Sequence, residues 1–207
     1  MKQLLFLLLL TLNLLSCFGQ KFVKKSVVSQ QTTSIQLDTS YFFEVQVGTT
    51  RENKIILEAT MEGEYEKDLG LEISETGNTL MVSAGFQPHF VAPNDKLSAH
   101  KVISISLNVL VPENMDVYVY GTSANVVIEG QYKHLKVALN DGRCTIREGG
   151  ESVEATTQSG PISLEIASGT ILAETKYGSI DKQYVPVGND HYSLHSTTGN
   201  ITIRQSK

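Results

Sequence analysis

Apolar residues recur every eighteen positions through the C-terminal part of the chain. One series runs Val117, Leu135, Val153 and Ile171, then reaches Tyr192 after three extra residues. Two positions on, a second runs Val119, Val137, Ala155, Ala173 and Leu194. A third runs Val126, Cys144, Ile162, Ile180 and Ile201, and a fourth Ile128, Ile146, Leu164, Lys182 and Ile203, with Lys182 its one charged member. Just before the third series stand the small residues Ala124, Gly142, Gly160, Gly178 and Gly199. Residues i and i+2 of a strand share a face, so these pairs point inward and Lys136, Glu154, Thr145 and Ser163 point out. A fixed period near twenty with such pairs predicts stacked β coils. The expected fold is all-β, with residues 113–207 a parallel β-helix or solenoid-like half of about five rungs, stacked in chain order. The glycines are expected to corner the chain at positive φ. A hexapeptide helix is excluded, because six and twelve residues beyond Ile162 stand Ser168 and Glu174, and beyond Cys144 stand Gly150 and Thr156.

Residues 34–112 read as a strand-rich N-terminal half. Strand-like runs cover 42–47 and 54–60, Leu69, Leu71 and Ile73 alternate with polar neighbours, and Glu75–Asn78 reads as a hairpin turn. Residues 102–111 alternate most clearly, and Pro112 ends that strand. No 3.6-residue period appears after residue 19, so almost no helix is expected. Residues 84–99 hold two prolines and form a connection longer than the usual four to six or so residues.

The first residues, MKQLLFLLLLTLNLLSCFGQ, read as an export signal. Two processing schemes fit. Residues 14–17 resemble a lipobox, which would remove residues 1–16 and lipidate Cys17. Otherwise cleavage after Gly19 removes residues 1–19. Residues 20–33 read as a tether and residues 34–207 as one domain. The formal charge of −5 argues against nucleic acid, and leaves a lipid on Cys17 as the route to a membrane. Cys144, the other cysteine, falls in an inward column and reads as a buried hydrophobe.

Candidate contact residues are Phe86, His89 and Phe90 in the long connection, which either form an exposed cluster or fold back on the core, and Tyr118 and Tyr120 near Tyr132. The last two either meet a partner or are covered by the N-terminal strands. Glu129, Arg147, Glu165, Gln183 and Arg204 would stack as a charge ladder of solvated ion pairs. Arg204 and Lys207 would guard the last edge. His191 and His195, four apart in a strand, are too far apart for one metal. Neither the residues nor their spacing implies a cofactor, a metal or a catalytic set.

The strand ending in Val111-Pro112, then Met115-Asp116-Val117, then the units Asn140-Asp141-Gly142, Gln158-Ser159-Gly160, Lys176-Tyr177-Gly178 and Thr197-Thr198-Gly199, resemble the putative adhesin family of bacterial envelopes, including the putative auto-transporter adhesin or head GIN domain. The resemblance implies an exported β-solenoid with no catalytic residues. The function expected is a non-enzymatic, adhesin-like or scaffolding module of the cell envelope, whose partner is an envelope protein or a glycan. Alternatives are a sensory envelope module and a glycan-active enzyme.

Overall fold

The computed structural model describes residues 20–28, 31–91 and 103–206. Residues 1–19, read from sequence as an export signal with Cys17, residues 92–99 of the long connection and Lys207 lie outside the described residues.

The fold is all-β, with two mixed sheets facing each other across one core. The strands are β1 (Lys21–Val27), β2 (Ser34–Asp38), β3 (Glu44–Thr50), β4 (Ile55–Gly63), β5 (Leu69–Thr76), β6 (Thr79–Phe86), β7 (Ile103–Pro112), β8 (Asp116–Gly121) and β9 (Asn125–Glu129). Then follow β10 (Tyr132–Leu139), β11 (Cys144–Arg147), β12 (Gly150–Thr157), β13 (Ile162–Ile166), β14 (Thr170–Thr175), β15 (Ile180–Lys182), β16 (His191–Ser196) and β17 (Ile201–Gln205). Among the described residues the one helical element is a 3-10 turn at Glu66–Asp68. Within residues 20–33, read from sequence as a tether, β1 forms an edge strand antiparallel to β4.

The first sheet runs β1-β4-β7-β3-β9-β11-β13-β17-β15, the second β14-β16-β12-β10-β8-β2-β6-β5. From β6 onward the chain alternates between them, so β6/β7, β8/β9, β10/β11, β12/β13, β14/β15 and β16/β17 are each one coil, as is β2/β3. Neighbouring coils pair in parallel, in the register the columns predict. Leu135 sits beside Val117 and Val153, and Cys144 beside Val126 and Ile162.

The order of the coils is not the order of the chain. Val153 is followed by Tyr192, and Tyr192 by Ile171, because β16/β17 inserts between β12/β13 and β14/β15. The N-terminal end repeats the device: β2/β3 lies between β6/β7 and β8/β9. The expectation of rungs in chain order is therefore corrected. The terminal coil is β14/β15, which explains why its column members are left open. Ile180 and Lys182 are exposed, and Ile171 and Ala173 only half-buried. Lys182 reaches solvent at this edge without burying its charge. Arg204 lies on β17, inside the first sheet, and does not guard an edge.

The glycine column records the same order. A Cβ on Gly142 would stand 2.2 Å from the Ala124 carbonyl oxygen, on Gly160 1.8 Å from that of Gly142, on Gly199 2.1 Å from that of Gly160, and on Gly178 2.2 Å from that of Gly199. These glycines do not have positive φ, contrary to the sequence expectation. They are needed because successive turns stack backbone on backbone.

The columns fill the core. Each fully buried Ile or Leu contributes about 1.5–3 kcal/mol over its exposed state. Tyr132 is fully buried. Its hydroxyl is shared between the carbonyl oxygens of Val47 (3.0 Å) and Glu129 (3.2 Å), which removes the cost of burying a phenol. Burial pushes its pKa well above the usual value, with Glu129 adding to the shift. Burial also pushes the Cys144 thiol up to about 12, so Cys144 is an inert core residue, as its column position suggests.

Candidate binding surfaces

Three surfaces carry the residues of interest. The first is where β6 leaves the second sheet. Phe90 N–H donates to the Gln87 carbonyl at 2.9 Å, closing a turn with Pro88 at its second position, where the fixed φ of proline favours turning. The turn folds Phe90 onto Phe86, with ring centroids 4.1 Å apart and planes 12° from parallel. Tyr65 meets both edge-on, at 5.9 and 5.2 Å. Phe86 packs against the core and Phe90 is half-buried, while His89 at the turn tip is exposed. The structure thus joins Phe86 and Phe90 and leaves His89 outside their stack. Tyr65 completes the group, and the alternation of β6 gave no sign of it.

The second surface is the outer face of the second sheet. Leu172, Ser193, Glu154, Lys136, Tyr118, Gln36 and Met81 form one row across seven strands. Tyr118 stands between Lys136 and Gln36, and Tyr120 between Ala138 and Asp38. Both are half-buried. β2 lies beside them in the same sheet rather than over them, so the N-terminal strands flank these tyrosines without covering them. Lys136 Nζ donates to both oxygens of Glu154, at 3.0 and 3.1 Å, and this hydrogen bond raises the lysine pKa. His191 and His195 share this face, with His195 3.5 Å from Glu174 and 2.8 Å from the Ser193 hydroxyl. Among the described residues no group of three or more His, Cys, Asp or Glu side chains could hold a metal.

The third surface is the outer face of the first sheet. One row crosses all nine strands: Lys24, Glu58, Asn108, Gln46, Val127, Thr145, Ser163, Thr202 and Asp181. At eight strand spacings of about 4.8 Å it is roughly 38 Å long. Beside it run Glu129, Arg147, Glu165 and Arg204. Arg147 lies 3.7 Å from Glu129 and 4.0 Å from Glu165. Because β17 precedes β15 in the sheet, Arg204 and not Gln183 stands next to Glu165, and its guanidinium donates to Asp181 on β15. That hydrogen bond lowers the Asp181 pKa.

Two shallow depressions on this face share Gln46 and Asn108. One, of about 400 Å³, opens over Gly48 and Gly130, which have no side chains to fill it, and ends at Arg147. The other, of about 220 Å³, lies between Phe22 of β1 and Phe43 just before β3, with Thr60 and Ser106 on its floor. Phe22 is 60% and Phe43 48% exposed, Phe22 on the edge strand β1, whose other side chains are exposed or half-buried, and Phe43 next to the buried Phe42. Sequence reading missed both. Phe22 lay in the supposed tether, and Phe43 was counted as part of an apolar run. Alternation gave no signal for Phe43: it would place Phe43 on the inner face with Val45 and Val47, but the chain bends before β3 and buries Phe42 instead.

No family model matches the chain, and no curated protein matches it. A solved structure shares its fold. A "putative cell adhesion protein" from Clostridium sporogenes superposes with a TM-score of 0.61 at 13% identity, covering 91% of this chain and all of that one. A "putative adhesin" from Bacteroides fragilis is aligned at 13% identity with a TM-score of 0.33, over 90% of this chain and 97% of that one. A "putative lipid binding protein" from Parabacteroides distasonis is aligned at 10% identity with a TM-score of 0.37, over the same shares. Among the described residues no helix is long and apolar enough to cross a membrane.

Proposed function

We propose that this chain is an exported, non-enzymatic module of the bacterial cell envelope, adhesin-like or scaffolding, which works by presenting the outer faces of a β-solenoid. The observation that carries this reading is the pair of broad outer faces, nine and eight strands wide, with polar side chains aligned across them. The fold likeness to the clostridial "putative cell adhesion protein" supports it. The carboxylates Glu129 and Glu165 stand on an open, solvated face beside Arg147 and do not converge in a cleft, which favours contact over catalysis. In this reading the leader directs export, and the mature protein either carries lipid on Cys17 or begins at Gln20.

The test is to express the full chain, with its own leader, in a non-adherent bacterial host. Recovery in the envelope fraction and increased attachment of the cells to bacterial or epithelial layers are expected. Retention in the cytoplasm, or unchanged attachment by an exported protein, would count against the reading.

A further inference from the structure

We infer that the Phe22–Phe43 trough on the outer face of the first sheet binds a neutral polysaccharide, which deepens the proposed adhesin-like function and rests on it. Three features of the trough point to this chemistry.

The first is the placement of the rings. Phe22 on β1 and Phe43 beside β3 are three strand spacings apart, roughly 14 Å, with β4 and β7 between them. Both expose an apolar surface that a monomeric fold has no use for. An aromatic face carries partial negative charge, and the axial C–H groups on one face of a pyranose carry partial positive charge. Two such platforms at the rims of one depression suit a chain of several sugar units lying between them.

The second is the floor. Thr60, Ser106 and Asn108 supply hydroxyl and amide groups, and among the described residues none of these side chains has a hydrogen-bond partner. Gln46 Nε2 donates to Glu44 at 2.7 Å, which holds both side chains in place before a ligand arrives. Sugar hydroxyls both donate and accept, so they match a floor of mixed amides, hydroxyls and a carboxylate.

The third is charge. Glu58 is paired with Lys24 at 2.7 Å and Glu129 with Arg147 at 3.7 Å, so the trough's cations are already neutralised. Glu44 accepts from the uncharged Gln46 amide and is in no ion pair among the described residues. With the chain at −5 overall, an anionic polysaccharide would be repelled and a neutral one accepted. The second depression continues the trough past Gln46 and Asn108, giving an extended polymer a path toward Arg147.

The experiment is affinity electrophoresis of the purified protein beginning at Gln20, in native gels containing laminarin, mannan, xylan or dextran. Alginate serves as the anionic comparison, and phosphatidylcholine/phosphatidylglycerol vesicles are tested by flotation. At least one neutral polysaccharide is expected to retard the protein. Phe22→Ala and Phe43→Ala should each weaken binding about tenfold, and Asn108→Ala severalfold, while Tyr184→Ala, an exposed ring outside the trough, changes nothing. Circular dichroism and melting confirm that these exposed substitutions leave the fold intact. Four results would overturn the inference: no retardation by any of the neutral polymers, retardation undiminished in the Phe22→Ala/Phe43→Ala pair, binding to alginate alone, or binding to vesicles alone. Attachment of whole cells separates the two levels. If attachment persists in the double variant, the trough is not the contact surface although the adhesin-like reading stands. If the polysaccharide binds but cells do not attach, the trough stands and the adhesin-like reading fails.

Discussion

Replacing Glu154 and Ser193 by cysteine tests the stacking order of the coils. The two residues are directly opposite each other on β12 and β16, one strand spacing apart. That spacing, about 4.8 Å, falls inside the roughly 4.4–6.8 Å between Cα atoms that a disulfide spans. Leu172 is one strand further, opposite Ser193, so Glu154 and Leu172 are about 9.6 Å apart. If the coils stacked in chain order, the distances would be exchanged. Both positions face solvent, and losing the Lys136–Glu154 pair costs little at an exposed site. The Glu154→Cys/Ser193→Cys disulfide closes a loop of about 40 residues, for which chain entropy gives at most about 4 kcal/mol of stabilisation. At roughly 2–4 °C per kcal/mol for a chain of this size, the upper bound on the melting shift is about 8–16 °C. Cys144 does not interfere, since it is fully buried and its thiol is shifted up to about 12. The assay is mild oxidation, non-reducing electrophoresis with mass mapping, and melting with and without reductant. Efficient cross-linking and stabilisation in Glu154→Cys/Leu172→Cys, with neither in Glu154→Cys/Ser193→Cys, would refute the inserted order.

Three further outcomes are expected. Gly160→Ala puts a methyl group 1.8 Å from a backbone carbonyl that cannot swing away, and should cost about 2–3 kcal/mol in chemical denaturation, whereas Gly77→Ala, in open space at φ +59, should cost only about 1–2. Equal losses would show that the turns do not stack. Tyr132→Phe leaves the Val47 and Glu129 carbonyls without their donor and should destabilise by about 1–3 kcal/mol; an unchanged urea midpoint would disprove that role. Alkaline pH should also destabilise the fold. The Cys144 thiol holds its proton to about 12 when folded but releases it near 9 when unfolded, so its contribution is full below pH 9 and is lost as pH rises toward 12, at up to about 1.4 kcal/mol per pH unit. Tyr192, shifted to about 12 by burial, acts with the same sign from about pH 10. Cys144→Val should therefore flatten the stability profile between pH 9 and 10, and an identical slope would contradict this.

The spacing of the repeats was legible because burial leaves a periodic mark. Val126, Cys144 and Ile162 do stack, and Lys136 and Glu154 do face water. The order of stacking was not legible, because coils of equal period offer nearly the same apolar ladder to any neighbour. The clue was Lys182, which a coil with neighbours on both sides would have to bury and a terminal coil need not. The β2/β3 coil also bore its mark, in Ile35 and Leu37 followed ten residues later by Val45 and Val47. It was missed because its partners, β6 and β8, lie more than forty residues away in the chain. Exposed rings such as Phe22 are harder still to read. An apolar residue looks the same in sequence whether it faces the core or the solvent, and only the pairing of β1 with β4 shows which.

The inserted coil also bears on how the molecule would carry load. A chain stacked in order would present its last strand at the edge, where tension on the C-terminus peels one ladder bond by bond. Here β17 is hydrogen-bonded to β13 on one side and β15 on the other. Pulling the C-terminus must therefore break two ladders together, and the strand that resists is clamped, not peeled. A protein anchored at one end and holding a surface at the other would yield at a higher force for the same number of backbone hydrogen bonds.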